Sequence, residues 1–419
     1  MEAIDKPHNS VIPIRNIGLV EEWSDYDFIA TRTDDGVLFR HTDLSGASIE
    51  KHFKVIRDGE IDLKITLTGY NTKSYNLFVG YFDPSEVNNP LSQRYYETCS
   101  FVNGAVSRKA IQKVKNIMPV DGEIAWQALR DRYFCSMIIP QHPVNKGVIK
   151  KLVKGYVSYL EIEPSAADKF VLYLGPQDGK RLKSLGNGAE NLIYFGVFNS
   201  ISKILLSLIN VLHKVTRNWG VSIILISALI YLVFYPITFK SMLSMRRMQG
   251  LQPKIEEIKQ KHKDNPQKLN VEIMELYRRE KVNPLGGCLP MLLQIPVFFA
   301  LYQLLMRLIN LKCASFLWVK DLSEPDRAIV FANKIPLLGN ELNILPLLMA
   351  GLMFFQQKMT MPKMGHGSQA AEQQKIMAIM MPVLFGVLFY KMPSGLVLYW
   401  LTNSLFMFVF QWKISKITQ

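Results

Sequence analysis

The chain of 419 residues has little of what enzymes, metal sites and disulfide-rich proteins require. Its four cysteines are too few and too scattered for a disulfide framework or a zinc site. Cys99 and Cys135 lie in the N-terminal half and could pair in an oxidising compartment, but independent small apolar residues are the simpler interpretation. The seven histidines form no cluster with Asp or Glu, and neither a phosphate loop nor a nucleophile motif is present. We therefore expect no catalytic residue, no metal and no cofactor.

Acidic residues are scarce in the C-terminal half. Residues 1–199 carry 24 Lys and Arg against 24 Asp and Glu, whereas the remainder carries 25 against 11, so the formal net charge of +14 arises from residues 200–419. There the basic residues flank long apolar runs, which is typical of cytoplasmic loops that face anionic lipid. Nucleic-acid binding as the main function is therefore a weak interpretation, while contact with ribosomal RNA through the same basic surface stays open.

The N-terminal half, which we place at residues 1–190, has the pattern of short strands. Residues 60–68 alternate polar and apolar side chains. Turn residues separate further strand-like segments, which favours an extracytoplasmic antiparallel β-sandwich. These segments lie at 98–107, 133–139, 153–163 and 169–174, and residues 109–131 include a stretch with weak helical character.

Residues 191–216 predict an amphipathic helix. Ile201, Leu205, Leu208 and Leu212 recur at helical spacing, and polar side chains interrupt the apolar set. Such a helix lies in the membrane interface rather than crossing the bilayer. The alternative is a core helix of the N-terminal domain.

Five apolar segments follow within residues 217–419, which we interpret as a membrane α-helical bundle. A run of about 20 uncharged residues crosses about 30 Å of hydrocarbon. Three segments meet that length, and two shorter ones are flanked by lysines whose side chains extend the span. We predict transmembrane helices near 220–240, 285–309, 342–360, 374–391 and 393–412.

The basic residues of the loops predict the orientation. Sixteen Lys and Arg lie in loops 240–284 and 358–375 and in the C-terminal tail, against five in the opposite loops. The positive-inside rule places the first set in the cytoplasm, together with the C-terminus, and the N-terminal domain outside. Nothing before residue 25 is apolar enough to export that domain, so we expect the chain to lack an N-terminal segment with one more membrane helix.

The loop after the first predicted span has the pattern of two helices. Pro253 opens the first, and Asn265 as N-cap followed by Pro266 opens the second. The apolar positions of each helix share a face, namely Ile255 with Ile258, and Leu269 and Ile273 with Leu276 or Tyr277. We predict a basic cytoplasmic hairpin at residues 243–283, which is either a docking surface for lipid, ribosome or nascent chain or a solvated connector.

Six short motifs carry a resemblance to a known family. They are Asn218-Trp219-Gly220, Tyr235-Pro236, Leu251-Gln252-Pro253-Lys254, the segment 281–288 with Asn-Pro-Leu-Gly-Gly, Gln294-Ile295-Pro296, and the segment 393–399 with Pro-Ser-Gly-Leu. Their residues, order and spacing resemble the signatures of the YidC insertase family, part of the Oxa/YidC/Alb superfamily, over roughly residues 190–415. The N-terminal domain resembles the periplasmic β-sandwich of the bacterial form by position and strand content.

The resemblance implies a function. Members of this family insert membrane proteins and help them fold, alone or with the Sec translocon, without a cofactor. It implies the bacterial inner membrane, a periplasmic N-terminal domain, and a monomeric core whose partners are nascent membrane proteins, the ribosome, Sec translocon components and anionic lipids. A transporter or channel with an accessory periplasmic domain is the alternative, but no internal repeat or mid-span charge supports it.

Polar residues within the spans form the candidate site, because each polar group there must face protein or water. These residues are Ser227, Tyr231, Gln294, Tyr399, Trp400 and Asn403. They predict either hydrogen bonds that hold the bundle together or a wet groove for clients, and the resemblance favours a groove open to cytoplasm and lipid. Tyr231 stands where most members of the family carry a groove arginine, so we expect this groove to be polar but not strongly cationic.

Overall fold

The computed structural model of the protein describes residues 14–15, 17–84, 95–262, 265–282, 289–335, 339–360 and 369–417. The chain divides into two compact units, Met1–Tyr194 and Phe195–Gln419. Residues 283–288, which hold the Asn-Pro-Leu-Gly-Gly motif, Cys288 and the start of the second predicted span, lie outside the described residues, as do residues 361–368 of the predicted loop 358–375.

The first unit is built from two antiparallel sheets. Its strands are β1 (Ile14–Arg15), β2 (Ile29–Arg32), β3 (Val37–Thr42), β4 (Ser48–Arg57), β5 (Glu60–Thr68), β6 (Tyr75–Phe82), β7 (Glu97–Val102), β8 (Ala105–Ala110), β9 (Ile117–Asp121), β10 (Ile124–Arg130), β11 (Phe134–Pro140), β12 (Lys146–Leu152), β13 (Gly155–Ile162) and β14 (Asp168–Pro176). The five-stranded sheet has the order β1-β6-β13-β12-β9, and the nine-stranded sheet has the order β2-β3-β4-β5-β14-β11-β10-β7-β8. The predicted antiparallel β architecture is confirmed.

The two sheets bury one apolar core between them. Alternate side chains of a strand point to the same face, and Leu63 and Ile65 of β5 thereby meet Leu77 and Val79 of β6. Three hydrogen bonds also cross this interior, from Tyr75 to Asp168 (2.6 Å), from Gln127 to Ser158 (2.6 Å) and from Ser136 to the carbonyl oxygen of Val79 (2.5 Å). Because each of these three buried donors finds its acceptor on the other sheet, the bonds fix how the sheets sit on each other.

The helical character assigned to residues 109–131 is wrong. This stretch contains the end of β8, one 3-10 turn at Ile111–Lys113, and then β9 and β10. β9 pairs with β12, and β10 lies between β7 and β11. Pairing with strands that are distant in sequence overrides the weak local preference.

Cys99 and Cys135 are separate thiols. They lie on β7 and β11, are fully buried and form no disulfide with each other. β10 lies between their strands and the two residues are not in the same row, so they are more than two strand spacings, about 10 Å, apart, whereas a disulfide needs Cα atoms within about 7 Å. Burial raises the pKa of the Cys135 thiol. The simpler interpretation of these cysteines therefore holds.

A helical layer covers part of the outer face of the nine-stranded sheet. It consists of α1 (Gly179–Leu185) and a 3-10 turn at Ala189–Leu192, whose buried Leu182 and Leu192 pack on Trp126 of β10. Arg130 ties this layer to the sheet, since its Nη1 donates to the carbonyl oxygen of Leu192 (2.7 Å) while its Nη2 pairs with Glu97 (2.5 Å).

Lys51 of β4 is a buried cation without a carboxylate partner among the described residues. It is 7% exposed, and its ammonium group lies 4.4 Å from the ring centroid of Phe28 and 4.9 Å from that of Trp23. Burial lowers the pKa of Lys51 to about 8. The unfolded chain keeps this proton up to about pH 10.4. Between about pH 8 and 10.4 the unfolded state therefore binds more protons, so the free energy of unfolding rises with pH in that window. Below about pH 8 both states hold the proton, and the destabilisation caused by burying the charged Lys51 is constant.

Lys51→Met is therefore expected to raise the free energy of unfolding of the first unit by roughly 1–3 kcal/mol at pH 7, because the cation–π contacts offset only part of the desolvation. The gain should shrink as the pH rises towards 10. Pulse proteolysis of the full chain in urea measures it, with Lys54→Met, an exposed position on the same strand, as control. A variant less stable than the parent at pH 7 would contradict this account.

The second unit is mainly helical. Its elements are α2 (Asn199–Thr216), α3 (Trp219–Gly250), α4 (Gln252–Lys261), α5 (Pro266–Arg279), α6 (Leu289–Arg307), β15 (Ile329–Ile335), β16 (Gly339–Leu342), α7 (Ile344–Thr360), α8 (Gln369–Phe389) and α9 (Ser394–Ile417). Within the described residues, α3 and the segment Ser394–Lys413 of α9 are long and apolar enough to cross a membrane, and α6, α7 and α8 contribute shorter apolar segments.

Two helices differ from their predicted bounds. We expected α3 to end near residue 240, but it continues to Gly250, because no helix-breaking residue stands between them. The helix predicted at 191–216 begins at Asn199 and belongs to the second unit. Its buried Leu205 and Ile209 face α3 and α6, and Ser202 donates a hydrogen bond to the carbonyl oxygen of Ala300 (2.9 Å).

The hairpin of α4 and α5 has the predicted caps. The side chain of Asn265 accepts a hydrogen bond from the backbone of Lys268 (3.0 Å), and Pro266 is the first residue of α5. A small core joins the helices, and it consists of Leu251, Ile255, Leu276 and Val282. The hairpin begins at residue 252 rather than 243, because α3 takes up the preceding residues.

Candidate functional site

Gln294 and Tyr399 are brought together from helices that are distant in sequence. Gln294 of α6 donates a hydrogen bond through Nε2 to the hydroxyl oxygen of Tyr399 on α9 (2.6 Å). Tyr399 is 1% exposed, whereas Gln294 is half-buried. A polar group among apolar helices is costly unless it is hydrogen-bonded. This hydrogen bond therefore stabilises the contact between α6 and α9.

Further residues lie on the same face of α9 as Tyr399. Asn403 follows Tyr399 by four residues, and Phe406 and Phe410 follow at the same helical spacing. Asn403 is half-buried, so its amide can be reached from outside the bundle.

Tyr231 of α3 meets the far end of this face. Its ring centroid lies 5.6 Å from that of Phe406 and 6.2 Å from that of Phe410. The Tyr231 hydroxyl is buried and has no hydrogen-bond partner in the described part of the chain. An unpaired buried hydroxyl is unfavourable, so this group can accept a hydrogen bond from a bound segment. We call Gln294, Tyr399, Asn403 and Tyr231, with the two phenylalanines, the polar strip.

Ser227 and Trp400 face other partners. Ser227 is fully buried, and its hydroxyl donates to the carbonyl oxygen of Ile223 in its own helix (2.6 Å). Trp400 packs between Phe298 of α6 and Phe385 and Phe389 of α8, with centroid distances of 4.8, 5.3 and 5.3 Å. The structure therefore places four of the six predicted residues along the polar strip and the other two in packing roles beside it.

Between α6 and α7, residues 309–335 and 339–343 form a cap that the sequence reasoning missed. The carboxylate of Asp326, 3% exposed, accepts hydrogen bonds from the indole of Trp318 (3.1 Å) and from the backbone of Ile344 (2.7 Å) and Leu345 (3.1 Å) at the start of α7. It thus satisfies backbone donors that a helix start leaves unpaired.

The cap also holds α3, α8 and α9. Asn343 donates to the carbonyl oxygen of Tyr390 at the end of α8 (2.9 Å), and the backbone of Ser394 at the start of α9 donates to that of Glu324 (2.7 Å). A Cβ atom on Gly220 of α3 would lie 2.2 Å from Phe316 of the cap, so only glycine fits there. The one local signal for this cap was Asn343, a good N-cap residue directly before a helix.

Metal-binding groups are not found in the described residues, where no three His, Cys, Asp or Glu side chains lie close enough to hold an ion. The polar strip itself contains no ionisable carboxylate or amine. Its side chains offer hydrogen bonding and aromatic contact.

Two family models match the chain. The model described as 60Kd inner membrane protein matches residues 211–419, and the model described as YidC periplasmic domain matches residues 22–208. Between them they cover most of both units.

Curated proteins named membrane protein insertase YidC are similar to the chain. The one from Endomicrobium trichonymphae is 40% identical over 329 residues, covering 76% of this chain and 61% of that protein. The one from Pelodictyon phaeoclathratiforme is 34% identical over 383 residues, covering 86% and 64%. The chain thus spans about three fifths of the length of these relatives. A solved structure, described as an active YidC insertase crystal structure with the first transmembrane domain resolved, matches with a TM-score of 0.42 at 18% identity, covering 93% of this chain and 95% of that one.

Proposed function

We propose that this chain, which belongs to the YidC family, inserts membrane proteins into a bacterial inner membrane and assists their folding. The observation that carries the proposal is the similarity of both units to relatives that are named as insertases, at 40% identity in one case and 34% over 383 residues in another. No enzymatic step is needed, because the strip offers hydrogen bonds and apolar contacts only.

In this proposal the polar strip receives the client. A client's polar segment loses its hydrogen bonds to water when it enters hydrocarbon, at a cost of several kcal/mol for each unsatisfied group. The half-buried amides of Gln294 and Asn403 can replace some of those bonds. Buried Tyr399 holds Gln294 in position, and the aromatic rings around Tyr231 give adaptable apolar contact.

The placement in the membrane follows from the charges. We propose that α3 and α6 to α9 are five crossings, that the first unit is periplasmic, and that the hairpin of α4 and α5 is cytoplasmic with the C-terminus. The sixteen-to-five distribution of basic residues supports this orientation. The hairpin's exposed lysines and arginines suit anionic lipid or a ribosome, and nascent membrane proteins, with or without the Sec translocon, are the clients of a monomeric core.

The strip of this chain is expected to discriminate weakly between clients by charge, because Tyr231 provides a hydroxyl worth about 1 kcal/mol where an arginine would provide a full charge. The test is insertion of two clients that differ only in the charge of the translocated tail, into proteoliposomes that contain the full chain. We expect similar insertion of both by the parent, a modest loss with Tyr231→Phe, and a preference for the acidic tail with Tyr231→Arg, whose guanidinium group can lie on the neighbouring rings.

Two results separate the function from the details of the strip. Insertion no better than in empty liposomes would refute the proposed function. Strong preference of the parent for acidic tails, unchanged by Tyr231→Arg, would leave the function standing and show that another group supplies the charge.

A further inference from the structure

The outer face of the nine-stranded sheet has an open part. The layer of α1 and the turn Ala189–Leu192 packs on residues of β7, β10, β11 and β14. Beside it, over β4, β5 and the start of β14, lies a cavity of about 330 Å³. Its lining is mostly polar and basic, and consists of His52, Lys54, Asp62, Leu63, Lys64, Gln141, Lys169, Phe170 and Val171.

The strand register places basic residues directly opposite one another in this cavity. His52 of β4 is the cross-strand partner of Lys64 of β5, and Lys64 is in turn the partner of Lys169 of β14. Directly opposed side chains are about 5 Å apart at Cβ, and like charges in that position repel. Neither Lys64 nor Lys169 has an ion-pair partner among the described residues, so nothing described there relieves this repulsion.

The nearby carboxylates do not neutralise the charges of Lys64 and Lys169. The carboxylate of Asp35 lies 3.3 Å from His52 and 3.2 Å from Lys54, so it interacts with these two side chains. Asp62 lines the cavity but stands opposite Lys54, one row further along the sheet than Lys64 and Lys169. Three lysines and a histidine therefore face a single carboxylate in the cavity lining.

We propose that this cavity binds a phosphate group. A phosphate brings up to two negative charges and several acceptor oxygens, which fits two unpaired ammonium groups that act as point charges. The amide side chain of Gln141 is a further donor at the rim. The volume exceeds that of inorganic phosphate and is at the lower end of the range for small-ligand pockets, about 300–1,000 Å³. A phosphoglycerol headgroup therefore also fits.

The source of the phosphate is either a free anion or a phospholipid headgroup. Val55 and Ile56 follow Lys54 on β4 and are 67% and 45% exposed, which offers an apolar contact beside the cavity to a lipid. Both sources carry the same phosphate group, and an acetylation experiment distinguishes them.

The experiment measures protection of single lysines against acetylation in the purified full chain, by peptide mass spectrometry. In detergent, inorganic phosphate should slow the modification of Lys64 and Lys169 at least about threefold relative to chloride at equal ionic strength, which keeps general screening constant. Exposed Lys151 of β12, on the other sheet, is the internal control and should not change. Protection without added phosphate in nanodiscs of phosphatidylglycerol, but not in detergent, would identify the headgroup as the source.

Variants make the result specific. Lys169→Gln should abolish the phosphate-dependent protection of Lys64, because one ammonium group no longer holds the anion, whereas Lys151→Gln should leave it intact. Equal reactivity of Lys64 and Lys169 under all conditions would overturn the proposal. Equal protection by acetate or glutamate would overturn it as well, since the cavity would then select carboxylates, such as those of an acidic peptide.

Discussion

Replacing residues 254–281 with a Gly/Ser linker of the same length is expected to reduce insertion to roughly a tenth or less, while the apolar helices stay folded. Helices of the length of α4 and α5 are marginal alone, so they depend on each other. Ile255 and Leu276, 4% and 1% exposed, form the centre of the hairpin core, and Lys254 pairs with Glu280 (2.7 Å) across its base. A buried core and an ion pair between two short helices are typical of a surface that must keep its shape to bind a partner.

A point variant tests the same idea with less disturbance. Leu276→Ala removes buried side-chain volume at a cost of about 2–5 kcal/mol, more than so small a core can lose. It should therefore reproduce most of the linker's defect. Met274→Ala, on the same helix but 50% exposed, is the matched control and should insert clients as the parent does. If the linker chain inserts clients normally in proteoliposomes and in cells, the hairpin is a connector.

Asp326→Ala is expected to release the cap from the start of α7. Its carboxylate serves three donors, on Trp318, Ile344 and Leu345. Leaving a buried donor unpaired costs about 1–3 kcal/mol, and the negative charge at the helix start is lost too, so a total of roughly 3–5 kcal/mol is reasonable. Opening this end of the bundle should also impair insertion, because the cap holds α3, α8 and α9 together.

Hydrogen exchange measures this loss where it occurs. The amides of Ile344 and Leu345 should exchange at least about 100-fold faster in Asp326→Ala, as a loss of about 3 kcal/mol implies. Asp326→Asn keeps an acceptor oxygen and should fall between variant and parent. Glu324→Ala is the control, since the Glu324 side chain is 46% exposed and pairs with Arg327 at 3.5 Å, while its backbone bond to Ser394 is kept in the variant. Unchanged exchange in Asp326→Ala would show that other contacts hold the cap.

Short sequence patterns predicted the features that arise from contacts between residues close in sequence. The Asn265 cap, the Pro266 start and the shared face of Ile273 and Leu276 follow from contacts within four residues, which a sequence displays directly. The continuation of α3 to Gly250 was missed because loop charge was taken as the helix end, although lysine and arginine are good helix formers.

The candidate site was only partly visible in the sequence. Tyr231, Gln294, Tyr399 and Asn403 were found because polar residues in apolar runs are rare and costly. Which of them share a surface depends on how α3, α6 and α9 pack, and so does the separate environment of Ser227 and Trp400. The cap left almost no trace in the sequence beyond Asn343.

The sequence by itself determined the division into a β-rich half and a basic, apolar helical half, since charge distribution and periodicity reflect the solvent each segment meets. Only the tertiary structure decided which distant residues meet. It placed β10 between the strands of Cys99 and Cys135, set Lys64 opposite Lys169, and joined Gln294 to Tyr399 across 105 positions. Such contacts arise from the packing of whole elements, whose register and neighbours no short stretch of sequence encodes.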